Sequence, residues 1–350
     1  MPSYPARSDS PALRSADAAA HAGPLVSIGL PVYNGERYLR QTLDSLLGQD
    51  YGNLELILSD NASTDSTAAI CQEYAARDAR VRYYRLRRNV GAVQNFRHVL
   101  RQAHGPYFMW AAFDDLRDPR YVSACVTALE ARPDAVACCT GLRLIDEDGQ
   151  PVDEAAWTHG IRPVGRSAWQ RVQAIAQATY WYDFYALTRT QQLAQTRLPL
   201  PVWGYDVVVL LELCLRGPVL LVPQPLFAYR VFTHKTQQDL ARGLESGQAA
   251  GAVPVSWGRM ILEMTRSICR APLPTATKLR LTLPFLWEFC GRNAVVSSFI
   301  QAEGTAAVRR ALTERAYGRS LILLGIAGLG SSQYLRRRIV AKLRKELRIT

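Results

Sequence analysis

Between residues 25 and 145 the chain alternates short apolar runs with amphipathic segments. "LVSIGLPVY" (25–33) has the length of a strand and is closed by the turn pair Asn34-Gly35. Leu39, Leu43, Leu46 and Leu47 then fall on one face of a helix. "LELILSD" (54–60) and "VRYYRL" (81–86) read as the next strands. Between them, Ser63 or Thr64 is placed to cap a helix over "DSTAAICQEYAAR". A further helix over "VQNFRHVLRQAH" leads to a fourth strand, "PYFMWAAF" (106–113). The next helix is expected from about Pro119 to Arg132, since proline suits a first helical turn. "AVACCTGLRLID" adds one or two strands.

Strands alternating with helices of this length predict an α/β fold with a mostly parallel sheet covered on both faces. Ligands bind such sheets outside the carboxyl ends of the strands. The polar punctuation falls at those ends: Tyr33-Asn34, Asp60-Asn61, Asn89, and the adjacent carboxylates Asp114-Asp115. Two neighbouring negative charges repel, and burying either is costly without a partner or a metal.

The second half is less regular. A helix near 167–178 precedes an expected strand "YWYDFYAL" (180–187). "WGYDVVVLLELCLRG" (203–217) reads as a helix with Asp206 near its start and Gly217 at its end. "PVLLVPQPLFAYRVF" (218–232) reads as paired strands broken by prolines, and the segments beyond residue 252 as amphipathic helices.

Charge adds one feature. The formal net charge is +12, and "LRRRIVAKLRKELR" (335–348) holds seven Lys or Arg against one Glu, half of that excess. Leu335, Ile339, Leu343 and Leu347 recur every four residues among these cations, the form of a helix lying on an anionic membrane surface. No nucleic-acid recognition pattern accompanies the charge. The seven cysteines are odd in number and lack C-x-x-C spacing, which argues for a reducing compartment without a disulfide framework or zinc site. Residues 1–24 are rich in Ala, Ser and Pro and read as a disordered tail. No run reaches the ~18–20 apolar residues of a spanning helix.

The stretches "VSIGLPVYNGERYLRQTLDSLLGQ", "LELILSDNASTDST", "RRNVGAVQNF" and "MWAAFDDLRDP", in this order, resemble family 2 glycosyltransferases of the GT-A fold. The resemblance covers about residues 25–232. It implies a nucleotide half over about 25–140 and an acceptor half over about 141–232; residues 233–350 are read as a C-terminal helical extension carrying the basic amphipathic tail. It also implies an inverting transferase that moves a sugar from a nucleotide-diphosphate donor, UDP or dTDP, to a glycan or lipid-linked glycan hydroxyl with Mn²⁺ or Mg²⁺. By the same resemblance Pro31, Val32 and Tyr33 lie along the base, and Asp60 accepts the base imide N–H. Asn89 and Gly91 meet the nucleotide, Asp114 faces the ribose and sugar, and Asp115 holds the metal. Phe113 stands where the family's D-x-D pattern begins. Asp206 is the implied base, with Asp183 as its rival, and His234 stands where the family often has a basic residue near the diphosphate. Trp181, Trp203 and Tyr205 are candidates for the acceptor side, since aromatic faces stack on sugars. The implied location is cytoplasmic, on the inner face of the cell membrane. A sugar nucleotidyltransferase would want a Gly-rich, basic phosphate loop after its first strand, which "PVYNGERY" is not. A non-catalytic glycan- or membrane-binding protein of the same fold is the other alternative.

Overall fold

The computed structural model describes residues 23–152, 167–177, 182–202, 204–232 and 257–292. One eight-stranded sheet organises them. Its strands are β1 (Val26–Val32), β2 (Leu54–Asp60), β3 (Val81–Arg85), β4 (Tyr107–Trp110), β5 (Leu116–Arg117), β6 (Ala137–Ile145), β7 (Leu187–Arg189) and β8 (Val219–Arg230). They lie in the order β3-β2-β1-β4-β7-β6-β8-β5. β3, β2, β1 and β4 are parallel neighbours, and β6 and β8 are also parallel. β7 runs antiparallel to both β4 and β6 and joins the two parallel blocks.

Alternation along the strands explains why the apolar runs are nearly continuous. Tyr107 and Met109 of β4 face one core, while Phe108 and Trp110 face the other. The first core is closed by α1 (Leu39–Leu47), α2 (Thr67–Arg77) and α4 (Tyr121–Glu130). The second is closed by α3 (Ala92–Arg101), α5 (Ala168–Gln177), α7 (Tyr205–Arg216), α8 (Trp257–Arg270) and α9 (Thr275–Arg292). α6 (Thr190–Ala194) is a short connector after β7. Each fully buried Leu, Ile or Phe contributes about 1.5–3 kcal/mol.

Several expectations change. "YWYDFYAL" is not a strand: Tyr182–Tyr185 form a 3₁₀ turn closed by Ala186 N–H donating to the Asp183 carbonyl, and extended chain begins at Leu187. Residues 218–232 are not two paired strands. They form the single strand β8, whose register with β6 jumps from Thr140↔Val222 to Leu142↔Phe227. The proline-bearing stretch Pro223–Pro225 is looped out there, and a Cβ at Gly141 would strike the carbonyls of Pro223 and Gln224. Prolines cannot donate to a ladder, so a bulge is where a strand tolerates them. Ser63 and Thr64 do not cap α2, which starts at Thr67. The first helices of the C-terminal extension pack on the sheet domain. Met260, Ile261, Met264 and Ile268 of α8 and Leu281 and Phe285 of α9 share the second core.

Candidate active site

The loops after β1 and β2 are laced together. Asn34 N–H donates to Ser63 Oγ, and Thr64 N–H donates back to Asn34 Oδ1. Gly35 N–H donates to Thr67 Oγ1, and Glu36 N–H to Asp65 Oδ2. Ser63 and Thr64 are thus spent on the β1 loop, and Asp65 is structural, accepting from Thr67 N–H as well. The lacing holds Asn34 at φ 51° and leaves Tyr33 as an exposed aromatic at the carboxyl edge. Pro31 and Val32 are buried in the sheet, and the Val32 carbonyl accepts from Asn61 N–H.

Asp60 ends β2 with no exposed surface. Its Oδ1 accepts from Ser63 N–H at 2.8 Å. Its Oδ2 accepts from the Tyr83 hydroxyl at 3.2 Å and lies 3.4 Å from Arg85 Nε. Beside it the Asn61 and Asn89 amides pair, Asn61 Nδ2 donating to Asn89 Oδ1 at 2.8 Å. Asn89 Oδ1 also accepts from Gly91 N–H. Gly91, at φ 82°, is the turn from which α3 starts.

The carboxylate pair lies where β4 hands the chain to β5. Phe113 packs against the β1 loop, where a Cβ on Gly35 would meet its ring. Thr42 Oγ1 of α1 sits 2.8 Å from the Phe113 carbonyl and 3.0 Å from that of Asp115. Asp114 is half-buried, whereas Asp115 is 3% exposed. Asp115 Oδ1 accepts from the backbone N–H of Arg230 at 2.9 Å, and its buried Oδ2 has no hydrogen-bond partner among the described residues. Burial first, and Asp114 second, push the Asp115 carboxyl up to about 8, only partly opposed by Arg117 and Arg230. Arg117 is itself buried, its guanidinium 3.4 Å from the centre of the Phe227 ring.

Asp206 stands in the first turn of α7, after Gly204 at φ 71°. A Cβ at Gly204 would collide with Met260 Sδ of α8, so only glycine brings the helix start this close to the C-terminal helices. Burial raises the Asp206 carboxyl above the usual carboxylate range, while backbone N–H groups pull it back. One side chain ties this carboxylate to the pair. The Tyr229 phenol of β8 is pushed far up by burial, then by Asp115, Asp114, Tyr182 and Asp206. Three carboxylates therefore act electrostatically on one phenol. The Tyr229 ring packs on Tyr182 at 4.4 Å.

Tyr205 packs its ring on Phe96 at 5.7 Å and Phe184 at 6.0 Å, within the aromatic cluster that includes Trp110. Asp183 is buried in the 3₁₀ turn. Trp181, Trp203, His234 and the basic tail lie outside the described residues. Among the described residues no helix is long and apolar enough to cross a membrane, and no group of three or more His, Cys, Asp or Glu converges as a metal cage. Arg230, Tyr229, Thr42 and Asn61 were not candidates from sequence. Only the strand alternation of "FAYRV", which sends Tyr229 and Arg230 to opposite faces, hinted at the first two.

The model of the family described as "Glycosyl transferase family 2" matches residues 27–182. EpsE of Bacillus subtilis is 37% identical over 130 residues, which are 37% of this chain and 47% of that protein. The chain spans about half the length of the curated relatives it matches, or less. The crystal structure of S. aureus TarS 1–349 in complex with UDP matches 92% of this chain and 91% of its own, with a TM-score of 0.60 at 16% identity. The mannosyltransferase PcManGT from Pyrobaculum calidifontis, in complex with GDP-Man and Mn²⁺, matches 94% of this chain and 88% of its own, with a TM-score of 0.52 at 16% identity. The mixed sheet flanked by helices is the fold of these GT-A glycosyltransferases.

Proposed function

Because residues 27–182 match the model of glycosyltransferase family 2, we propose that this protein transfers a hexose from a uridine or thymidine diphosphate sugar to a glycan or lipid-linked glycan hydroxyl, inverting the anomeric centre. The observation that carries the reading is the adjacent carboxyls Asp114 and Asp115, with the buried Oδ2 of Asp115 lacking a hydrogen-bond partner among the described residues, together with Asp206 in the first turn of α7. A transferase needs carboxylates at the leaving diphosphate and another at the attacking hydroxyl.

Tyr33 stacks on the base from the exposed end of β1. The base imide joins or displaces the donors already on Asp60 Oδ2, which come from the more open strand β3. Asn89 and Gly91 shape the loop that approaches the nucleotide. Asp206 takes the acceptor proton as the acceptor oxygen bonds to the anomeric carbon, and the donor C–O bonding electrons leave with the diphosphate. A carboxyl raised toward neutrality is a better base at working pH than an ordinary aspartate. Tyr205 lines the acceptor side from within its aromatic cluster, with Trp181 and Trp203 proposed on sequence alone.

The pair suits Mn²⁺ or Mg²⁺ completed by substrate phosphates, since these ions are commonly held by one or two carboxylates. The bare Oδ2 of Asp115 and the half-buried Asp114 are the oxygens that fit. A bound ion supplies charge neutralisation for the departing diphosphate. The division of labour expected from the motif shifts here. Asp114, the more open residue, faces donor and ion, while Asp115 anchors the turn through Arg230 N–H and offers its second oxygen from beneath.

Incubation with UDP-, dTDP- and GDP-sugars and sugar acceptors, with product configuration read by NMR, tests the reading. Inverted product from a uridine or thymidine donor supports it; retained configuration, or no nucleotide binding at all, overturns it. The basic helix of residues 335–348 is proposed to hold the enzyme on the anionic inner face of the cell membrane. Deleting 333–350 should release the protein from anionic vesicles on sedimentation, and unchanged sedimentation removes that part of the reading.

A further inference from the structure

Arg230 is 2% exposed, yet its contacts reach three separate parts of the chain. Its backbone N–H donates to Asp115 Oδ1 at 2.9 Å. Its Nε donates to the Asp114 carbonyl at 2.8 Å. Nη1 donates to the carbonyls of Asp146 at 2.7 Å and Glu147 at 3.1 Å, in the turn that follows β6. Nη2 donates to Gln41 Oε1 of α1 at 3.2 Å, and the guanidinium carbon lies 4.5 Å from the centre of the Tyr38 ring.

From α1, Thr42 Oγ1 holds the Phe113 and Asp115 carbonyls and Ser45 Oγ accepts from Arg117 N–H, while the sheet side offers a short mount. β5 is only two residues long and pairs with β8 alone, through Leu116↔Ala228 and Arg117↔Phe227. A two-residue strand next to a repelling pair of carboxylates is a weak mount. Arg230 continues that ladder by one more backbone bond and then clamps the preceding peptide with its side chain. Its planar fork spends donors on acceptors in fixed directions, which an ammonium does not reproduce.

We infer that Arg230 is a positioning residue for the donor site: it fixes the Asp114–Asp115 turn against α1 and the β6 turn, so that both carboxylates are aimed before the diphosphate and its ion arrive. The inference rests on the transferase reading for what the pair binds, but the clamp itself does not.

Two measurements on full-length protein separate these. The first is amide hydrogen exchange without nucleotide, comparing wild type with Arg230→Lys. Exchange at residues 114–117 is expected to rise at least tenfold while β1 and β2 stay unchanged. Equal protection in both proteins overturns the clamp. The second is UDP binding by calorimetry with and without Mn²⁺. Arg230→Lys should weaken the Mn²⁺-dependent affinity tenfold or more and the metal-free affinity less than twofold. An equal loss in both, or no loss, overturns the positioning role. Should Arg230→Lys fail to fold, Gln41→Leu, at an exposed site on α1, removes one arm of the clamp. It should give the same split at a few-fold level, and wild-type behaviour would count against the inference. Failure of wild type to bind any uridine nucleotide would instead overturn the transferase reading and leave the exchange result standing.

Discussion

The ends of β2 and β4 each bury a carboxylate, and they treat it in opposite ways. Asp60 has donors on both oxygens, from Ser63, Tyr83 and Arg85. Asp115 has one donor, from Arg230, and a bare oxygen beside a second carboxylate. The difference separates a finished joint from an unfinished one. Asp60 holds its own loop together before anything binds. Asp115 keeps one buried oxygen without a partner among the described residues, which is costly in an empty protein and useful in one that receives a cation.

The comparison is broken most severely at Asp60. Asp60→Ala strands three donors at once and is expected to destabilise the fold by about 2–3 kcal/mol, the scale of hydrogen bonds to a charged group. Denaturant unfolding checks this; a loss under about 0.5 kcal/mol would mean the joint is not finished as described.

Asp115→Asn should act the other way as pH rises. The folded protein holds the Asp115 proton up to about pH 8, whereas the unfolded chain releases it near the ordinary value. Between those values the native state binds more protons, so this group's contribution to stability falls as pH rises through about 8. The asparagine variant lacks that fall and keeps an acceptor for Arg230 N–H. Relative to wild type it should gain several degrees in Tm between pH 5 and pH 9, at about 2–4 °C per kcal/mol. A difference independent of pH would show that Asp115 is an ordinary ionised carboxylate.

The smallest effect is expected at Tyr83. Tyr83→Phe removes one of several donors from Asp60 and should cost about 1 kcal/mol by the same unfolding measurement. A loss as large as that of Asp60→Ala would make Tyr83, not the set of donors, the essential partner.

The same contrast marks how far the sequence could be read. β1 and β2 were legible because strands buried on both faces give unbroken apolar runs, and Asp60 sat at the end of one. The carboxylate pair was legible as a pair, but not its division, because exposure is set by what packs around it. Arg230 reaches Asp115 across 115 positions and Gln41 across 189, and no local pattern encodes such contacts. Residues 182–185 were misread because a run of aromatics serves a buried 3₁₀ turn as well as it serves a strand. β8 was misread because its prolines mark a bulge within one strand as readily as a break between two. What the C-terminal helices pack against was not legible, because an amphipathic helix does not state what its apolar face will meet; that of α8 meets α7.

The central claim is that α7 presents a base to the same cleft that the acid pair serves. The most direct test is Asp206→Asn, measured for donor affinity and for turnover in one preparation. The account expects donor affinity within about twofold of wild type and kcat lower by about 10²–10⁴. A properly folded variant that turns over within about tenfold of wild type would contradict it.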